Sequence, residues 1–473
     1  MNIPFLRQIL VASSPQLAAI SVGGAIGFPS VLLEQLKTND SSIQLEMELS
    51  TWIGSSHGFA GIPSILMPTL MQWKGRKMSY FISCLFIFIG WLLIYFSENV
   101  ITIIIGECFQ GLGNNSLVVA TFNSLSEMLD PKFRIIAMSI YINNEALGVS
   151  VASIIGRYLH WKTVSIAMSI PITLALIIGF LWPESPSWLA YKGDYVKCEE
   201  AFLWLRGSSE DSQKELKELL RAQKEMYIAN RKSKVTLKKL GTQITSRDFY
   251  MPLFQSFVIL CSVYGSGILV VIVYGIDMMQ KATKNSSATH FGMIIIFVSI
   301  YLGSLVSIFL MKFFKNKTVY MTSGIFAATF MLGASVVTFL QSVSVVSEES
   351  LLCLFFIIFF VASTSMGIST TGYCLAAEVM PVKHRGLGGA TYIIQVCILH
   401  SVILKFSPYL ILYMNLWATF MLFSVIEYVC MIYVWKNVPE TKGRTLQEIE
   451  DFYNHGRFVT RSGEIEEECL ARE

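Results

Sequence analysis

PESPSWLAYKGDY (Pro183–Tyr195) breaks into an otherwise oily chain and opens its one long polar stretch. A second Pro-Glu, in PETKGRTLQEIE (Pro439–Glu450), follows the last apolar run. The same dipeptide thus closes two apolar regions about half a chain apart. The regions themselves set the class. The 473 residues are 53% hydrophobic and 15% charged, with mean hydropathy +0.55, whereas a soluble domain carries about 25% charged residues. Runs such as MSYFISCLFIFIGWLLIYF (Met78–Phe96) and LLCLFFIIFFVA (Leu351–Ala362) reach, with their weakly polar flanks, the roughly 20 residues that cross a bilayer. Lipid gives backbone groups no hydrogen-bond partner, so such runs must be helices. Continuous apolar runs, not alternating ones, exclude a membrane barrel. The expected fold is an all-α membrane protein of about twelve transmembrane helices in two six-helix bundles.

Spans are expected at about 12–36, 51–72, 78–97, 100–124, 135–159 and 161–182, then at 251–278, 290–311, 318–341, 351–379, 386–412 and 415–436. This predicts an N-terminal bundle over 1–182, a cytosolic helical linker over 183–250, a second bundle over 251–438 and a cytosolic tail over 439–473. Polar Ser13 to Gln16 break up the first apolar run, which is therefore read as a retained helix and not as a signal peptide. Lys and Arg gather in alternate loops, among them Lys74, Arg76, Lys77, Lys132, Arg134, Lys312 and Arg385. The positive-inside bias puts these loops and both termini in the cytosol, and a multi-pass protein of the plasma membrane is expected. The sequons at Asn39 and Asn285 then fall outside and are the glycosylation candidates. The cysteines are scattered without metal or disulfide spacing. No cofactor, metal or nucleic-acid partner is expected, and no nucleophile–base constellation or phosphate loop points to an enzyme.

The two halves echo each other a second time. SEMLDPKFR (Ser126–Arg134) follows span four, and AEVMPVKHRGLGG (Ala377–Gly389) follows span ten. Each runs from a glutamate through a proline to an arginine that enters the next helix. Matched proline-interrupted elements in two halves mark an internally repeated transporter. Acids at inner helix ends can pair with arginines of neighbouring helices, holding the bundles together when the inner side is shut. Arg76, Glu127, Arg134, Glu184, Glu378, Arg385 and Glu440 are the gating candidates, and Glu107 joins them below.

With GRK (Gly75–Lys77), PESPSWL, EVMPVKHRG and PETKGRTLQEIE, nearly the whole chain resembles the sugar-porter branch of the major facilitator superfamily. ISVGGAIGFPSVLLEQL at the start and WIGSS (Trp52–Ser56) look most like insect facilitated trehalose transporters. The resemblance implies alternating access around a solute site near the membrane midplane, with a small-molecule solute, a lipid bilayer and a monomeric carrier. Span one holds no acid between Leu17 and Leu33 where proton-coupled sugar porters carry an aspartate, which favours uniport of a sugar such as trehalose or a hexose.

Departures from the family pattern are substantial. Val263 and Tyr264 stand at the usual glutamine pair of span seven, Leu269 at its asparagine, and Ile142, Ile300 and Val396 at other amide positions. Tyr373 replaces a tryptophan, and Glu107 stands at the arginine of span four, from which it can pair with Arg76 or Arg134. Burying an unpaired sugar hydroxyl costs about 1–3 kcal/mol, so the polar residues that remain must compensate or the solute is less polar. Asn143, Asn144, Tyr264, Ser266, Thr370, Thr371, Tyr373 and Gln395 are the binding candidates. Glu145 reads either as a proton-coupling acid or as a paired structural group, and His400, Lys405 and Glu427 as snorkelling or interhelical partners. A same-fold carrier of a less polar organic solute and a non-transporting membrane sensor stay open as alternatives.

Overall fold

The computed structural model describes residues 3–37, 46–210, 212–221, 246–379, 385–440 and 442. Asn39, the basic middle of the central linker and most of the tail lie outside the described residues. The first bundle comprises α1 (Ile3–Leu36), α2 (Met47–Gly61), a 3-10 turn (Ile62–Leu66), α3 (Met67–Lys74), α4 (Arg76–Tyr95), α5 (Val100–Met128), α6 (Pro131–Ile155) and α7 (Trp161–Phe180). Two short helices follow, α8 (Pro186–Lys192) and α9 (Tyr195–Arg206). The second bundle comprises α10 (Arg247–Gly265), α11 (Ile268–Thr283), α12 (Ser286–Phe313), α13 (Asn316–Ser342), α14 (Leu352–Met366), α15 (Ile368–Glu378), α16 (Arg385–Tyr413) and α17 (Asn415–Asn437). Among the described residues, ten segments are long and apolar enough to cross a membrane, counting α10–α11 and α14–α15 as one each. The composite α2–α3 and the polar α5 supply the other two crossings, making the twelve that the composition predicted.

Two of the broken crossings have a clear local cause. Proline cannot donate to the helix ladder, and Pro63 and Pro68 sit at the start of the 3-10 turn and of α3. Between α10 and α11, Gly267 takes φ +89°, a left-handed backbone that other residues rarely adopt. Ser266 Oγ accepts the freed Ile268 N–H at 3.4 Å.

The duplication seen in the sequence is built into the packing. In the first bundle α1 packs on α5, α6 and α7, and α4 packs on α5 and α7. In the second, α10 packs on α15, α16 and α17, and α13 packs on α14, α15 and α17. Helices six crossings apart therefore make equivalent contacts. The bundles meet through α1 with α11, α2 with α16, and α6 with α12. The last two pairings exchange under the same half-chain repeat.

Candidate functional site

The opening Pro-Glu finds its purpose at the inner ends of the helices. Glu184 Oε1 accepts the backbone N–H of Arg76 at 2.9 Å, of Lys77 at 3.1 Å and of Ser185 at 2.8 Å. It thus satisfies the orphan donors at the start of α4, where the helix dipole also favours an anion. Burial raises the Glu184 carboxyl above the ordinary glutamate range, and the three N–H groups pull it part of the way back. Arg76 completes the knot, donating Nη2 to Glu127 Oε1 at 2.7 Å and Nη1 to the Met71 carbonyl at 3.2 Å. The Ser185 hydroxyl donates to the other oxygen of Glu127. Arg76, Glu127 and Glu184 therefore tie α3, α4, α5 and the end of α7 to one another inside the first bundle.

The second Pro-Glu is placed alike. Lys77 Nζ donates to the Phe180 and Trp182 carbonyls at 2.9 and 2.6 Å, just before Pro183-Glu184. Lys317 Nζ donates to the Trp435 and Val438 carbonyls at 3.0 and 2.6 Å, just before Pro439-Glu440. Arg134 meets no glutamate in the knot. Its Nε donates to the Leu129 carbonyl at 2.8 Å, closing its own loop. Arg206, which the sequence reading passed over, does the bridging there: it pairs with Asp130 and with Glu215 and donates to Leu129 O at 2.9 Å, fastening α9 beneath the α5–α6 turn. Glu378 is half-buried at the inner end of α15, and Arg385 begins α16.

On the outer side the bundles are sewn together. Lys37 at the end of α1 pairs with Asp277 of α11. Ser401 Oγ of α16 donates to the Ser55 carbonyl of α2 at 3.0 Å, and Lys405 Nζ to Thr51 Oγ1 at 2.8 Å, with the ammonium 4.0 Å from the Trp52 ring centre. Ser150 Oγ donates to the Phe297 carbonyl at 2.6 Å. At mid-membrane Ser304 Oγ donates to Asn143 Oδ1 at 2.6 Å. Asn143 lies 12 residues into α6, about 18 Å from its inner end. Among the described residues, no hydrogen bond or ion pair joins the bundles inward of that contact. Among the described residues, the side-chain bonds between the bundles lie from Asn143–Ser304 towards Lys37 and Lys405.

Glu107 belongs to this seam and not to the inner knot, which corrects the expectation that it pairs with Arg76 or Arg134. It lies 20 residues before Glu127 on one continuous helix, about 30 Å away. Its neighbour is His57 of α2, whose Nδ1 stands 3.5 Å from Glu107 Oε2. The His57 and His400 rings stack across the bundles at 5.8 Å. These three polar groups, with Ala25, Ile26, Pro29, Gly54, Leu269, Val273 and Leu404, line a hollow of about 10 Å³. That is room for about one water molecule, far too little for a sugar. Neither Glu107 oxygen makes a hydrogen bond. A helix position alone could have shown this depth; the partner could not be read, because His57 lies 50 residues earlier.

Most of the eight binding candidates have spent their polar groups on protein. Thr370 and Thr371 both donate to the Gly367 carbonyl, at 3.1 and 2.8 Å, and Ser266 to Val263 O at 3.0 Å. Asn144 donates to Gln16 Oε1 at 3.2 Å and Gln395 to the Leu253 carbonyl at 3.3 Å. Tyr373 OH donates to Tyr264 OH at 3.1 Å. Asn143 is engaged through its oxygen, and its amide N–H groups donate to no described residue. Of the remaining charges, Glu427 accepts Ser262 Oγ at 2.9 Å within the second bundle. Asn285 is exposed and caps α12, its Oδ1 accepting the Ala288 N–H at 3.0 Å.

A profile described as sugar (and other) transporter matches residues 9–453. The chain belongs to this transporter family. Among its relatives is the facilitated trehalose transporter Tret1 of Apis mellifera ligustica, 25% identical over 94% of this chain and 88% of the relative. Trehalose transporter 1 of Drosophila melanogaster is 26% identical over 94% of this chain, which spans about half, 51%, of that longer protein. Other Drosophila relatives are covered only to a similar extent. Among solved structures, the inward open xylose transporter XylE of E. coli aligns with TM-score 0.73 over 95% of this chain and 99% of XylE, at 17% identity. XylE bound to 6-bromo-6-deoxy-D-glucose aligns with TM-score 0.70. The match at such identity establishes the major facilitator fold for this member of the transporter family.

Proposed function

We propose that this protein is a facilitative carrier that moves a sugar, trehalose or a hexose, across the plasma membrane by alternating access. The observation that carries the reading is the asymmetry of the bundle interface. Among the described residues, two bundles with equivalent internal contacts are fastened to each other from Asn143–Ser304 outward, as one of two alternating states requires. The family supports a sugar as solute, and the trehalose-transporting relatives support trehalose in particular. Binding falls to the groups that face the interface with capacity to spare, namely the Asn143 amide and the Tyr264 and Tyr373 hydroxyls, with Asn144, Ser266, Thr370, Thr371 and Gln395 shaping the walls. Gating falls to Arg76, Glu127 and Glu184 in one bundle, to Glu378, Arg385 and Glu440 in the other, and to Arg134 at the α5–α6 turn. Each set keeps its helices moving as one body while the two bodies rock. The carrier works as a monomer with both termini in the cytosol, and it has no enzymatic step. Radiolabelled trehalose and glucose uptake into proteoliposomes tests the reading. Saturable uptake that equilibrates without accumulation is expected, and absence of flux for every sugar offered sinks it.

A further inference from the structure

Two serines stand at the same register in the two halves. Ser150 lies 16 residues beyond Arg134 and Ser401 lies 16 residues beyond Arg385, the arginines of the duplicated motif. Both are buried, at 4% and 0% exposure. Each donates its hydroxyl across the bundle interface to a main-chain carbonyl. Ser150 of α6 reaches Phe297 O of α12 at 2.6 Å, and Ser401 of α16 reaches Ser55 O of α2 at 3.0 Å. These helix pairings, α6 with α12 and α2 with α16, are the two that exchange under the repeat. Serines that only hold a bundle together are placed differently. Ser21 donates to the Met168 carbonyl and Ser424 to the Ala328 carbonyl, each within one bundle.

Ser150 also has a second acceptor. Its hydroxyl lies 3.0 Å from the Ala146 carbonyl, one turn back on its own helix. A hydroxyl has one proton to donate, so it serves one carbonyl at a time. Ser304 holds the same choice, with Asn143 Oδ1 across the interface at 2.6 Å and its own Tyr301 carbonyl at 2.8 Å. A helical serine can fall back on a carbonyl three or four residues earlier, and for Ser401 that group belongs to Cys397. The acceptors across the interface lose little on release. Phe297 and Ser55 are interior to α12 and α2, so the helix ladder keeps their carbonyls occupied. Parting the bundles here strands no polar group. The fallback bond is the poorer one, since back-bonding slightly strains a helix, and the shut arrangement is favoured by the difference.

We propose that Ser150 and Ser401 are twin latches of the outer gate, each hydroxyl bonding the opposite bundle while the gate is shut and its own helix once it opens. The inference rests on the alternating-access reading above and names two groups that set the balance between its states.

The test is the rate at which an impermeant thiol reagent, added outside intact cells expressing the full chain, reaches Cys397, scored as the label that Cys397→Ser removes. Cys397 is buried on α16, in the other helix pair from Ser150, so a packing defect confined to α6 and α12 leaves it covered. Ser150→Ala is expected to raise the rate about threefold, a fraction of a full hydrogen bond. The double variant with Ser401→Ala should reach about tenfold, the product of two independent latches. Ser150→Thr keeps the hydroxyl and should return the rate towards the native value. A native rate in Ser150→Ala overturns the proposal, and so does a rise that Ser150→Thr leaves in place. Sugar uptake by the same cells with labelling unchanged removes the latches and keeps the carrier reading. The expected labelling with no sugar crossing keeps the latches and removes the carrier reading.

Discussion

Lys317 does in the second bundle what Lys77 does in the first, each donating its ammonium to two carbonyls at the inner end of a helix three crossings further on. Phe180 and Trp182 receive it in one bundle, Trp435 and Val438 in the other. The last carbonyls of a helix lack internal partners, and a cation there also complements the dipole. Replacing either lysine by methionine keeps the stem and removes the bonds. Each change is expected to cost about 1–2 kcal/mol, read as a fall in melting temperature of the detergent-solubilised protein, with similar values for the two.

Glu184 gives a pH signature. Burial holds its carboxyl above the ordinary glutamate value in the folded protein, so the folded state binds this proton more tightly than the unfolded state does. The contribution is fully present below the unfolded value of about 4.3 and is lost as pH rises through the higher folded value. Glu184→Gln should therefore flatten part of the fall in stability over that interval, measured by melting temperature against pH. An unaltered pH profile would remove Glu184 from this role. Glu184→Ala should cost about 1–3 kcal/mol at any pH, because three backbone donors lose their acceptor.

Glu107 makes an opposite prediction. A fully buried carboxyl with neither oxygen hydrogen-bonded is a burden on stability, and apolar replacements of buried charges are often neutral or stabilising. Glu107→Met is expected to hold or raise the melting temperature by about 1 kcal/mol equivalent. Glu107→Arg, which brings a bulkier side chain that cannot shed its charge to the same spot, is expected to cost several kcal/mol and to abolish surface expression.

The outer seam can be wedged. A Cβ placed on Gly58 of α2 meets Ser401 Oγ, and comes 2.9 Å from the Cys397 carbonyl and 3.0 Å from His400. Gly58→Val should therefore keep the outer halves of α2 and α16 apart. Cys397, buried in the native seam, is then expected to react with an impermeant thiol reagent added outside at least about tenfold faster, and net uptake should fall. Equal labelling of the two proteins would show that the seam closes regardless.

Asn285 is exposed, and its cap uses the side-chain oxygen, which leaves the amide nitrogen for a sugar chain. Digestion with a glycosidase should lower the apparent mass of the protein made in insect cells, and Asn285→Gln should remove the part of that shift due to this site.

Much of the fold was legible because lipid permits so little. Twelve crossings, the half-chain repeat and the matching placement of both Pro-Glu pairs follow from apolar runs and matched dipeptides. The inner knot was half legible. Glu127 and Glu184 could be named from duplicated motifs and Arg76 from the Gly75–Lys77 signature, but their bonds run within one bundle, which sequence order cannot reveal. Glu107 was misplaced for a related reason: a motif gave its family position, while His57, the residue it meets, carries no periodic signal. Arg206 and Asp130 were missed because a charged linker helix looks like any solvated surface until its docking place is known. The binding candidates were chosen as polar residues in apolar helices, and Ser266, Thr370 and Thr371 prove to be bonded to backbone carbonyls one turn away.

The broken seventh crossing has a consequence for the order of events. Gly267 lets α11 take a direction of its own, and Ser266 caps the gap so that the break leaves no bare amide. Lys37 grips α11 above the break, whereas α10 below it stays wedged among α15, α16 and α17. A door hung on its own pin can swing without shifting the wall, so the upper gate can latch or release on a different beat from the lower one. Such staggered timing is what keeps a carrier from ever becoming a leak.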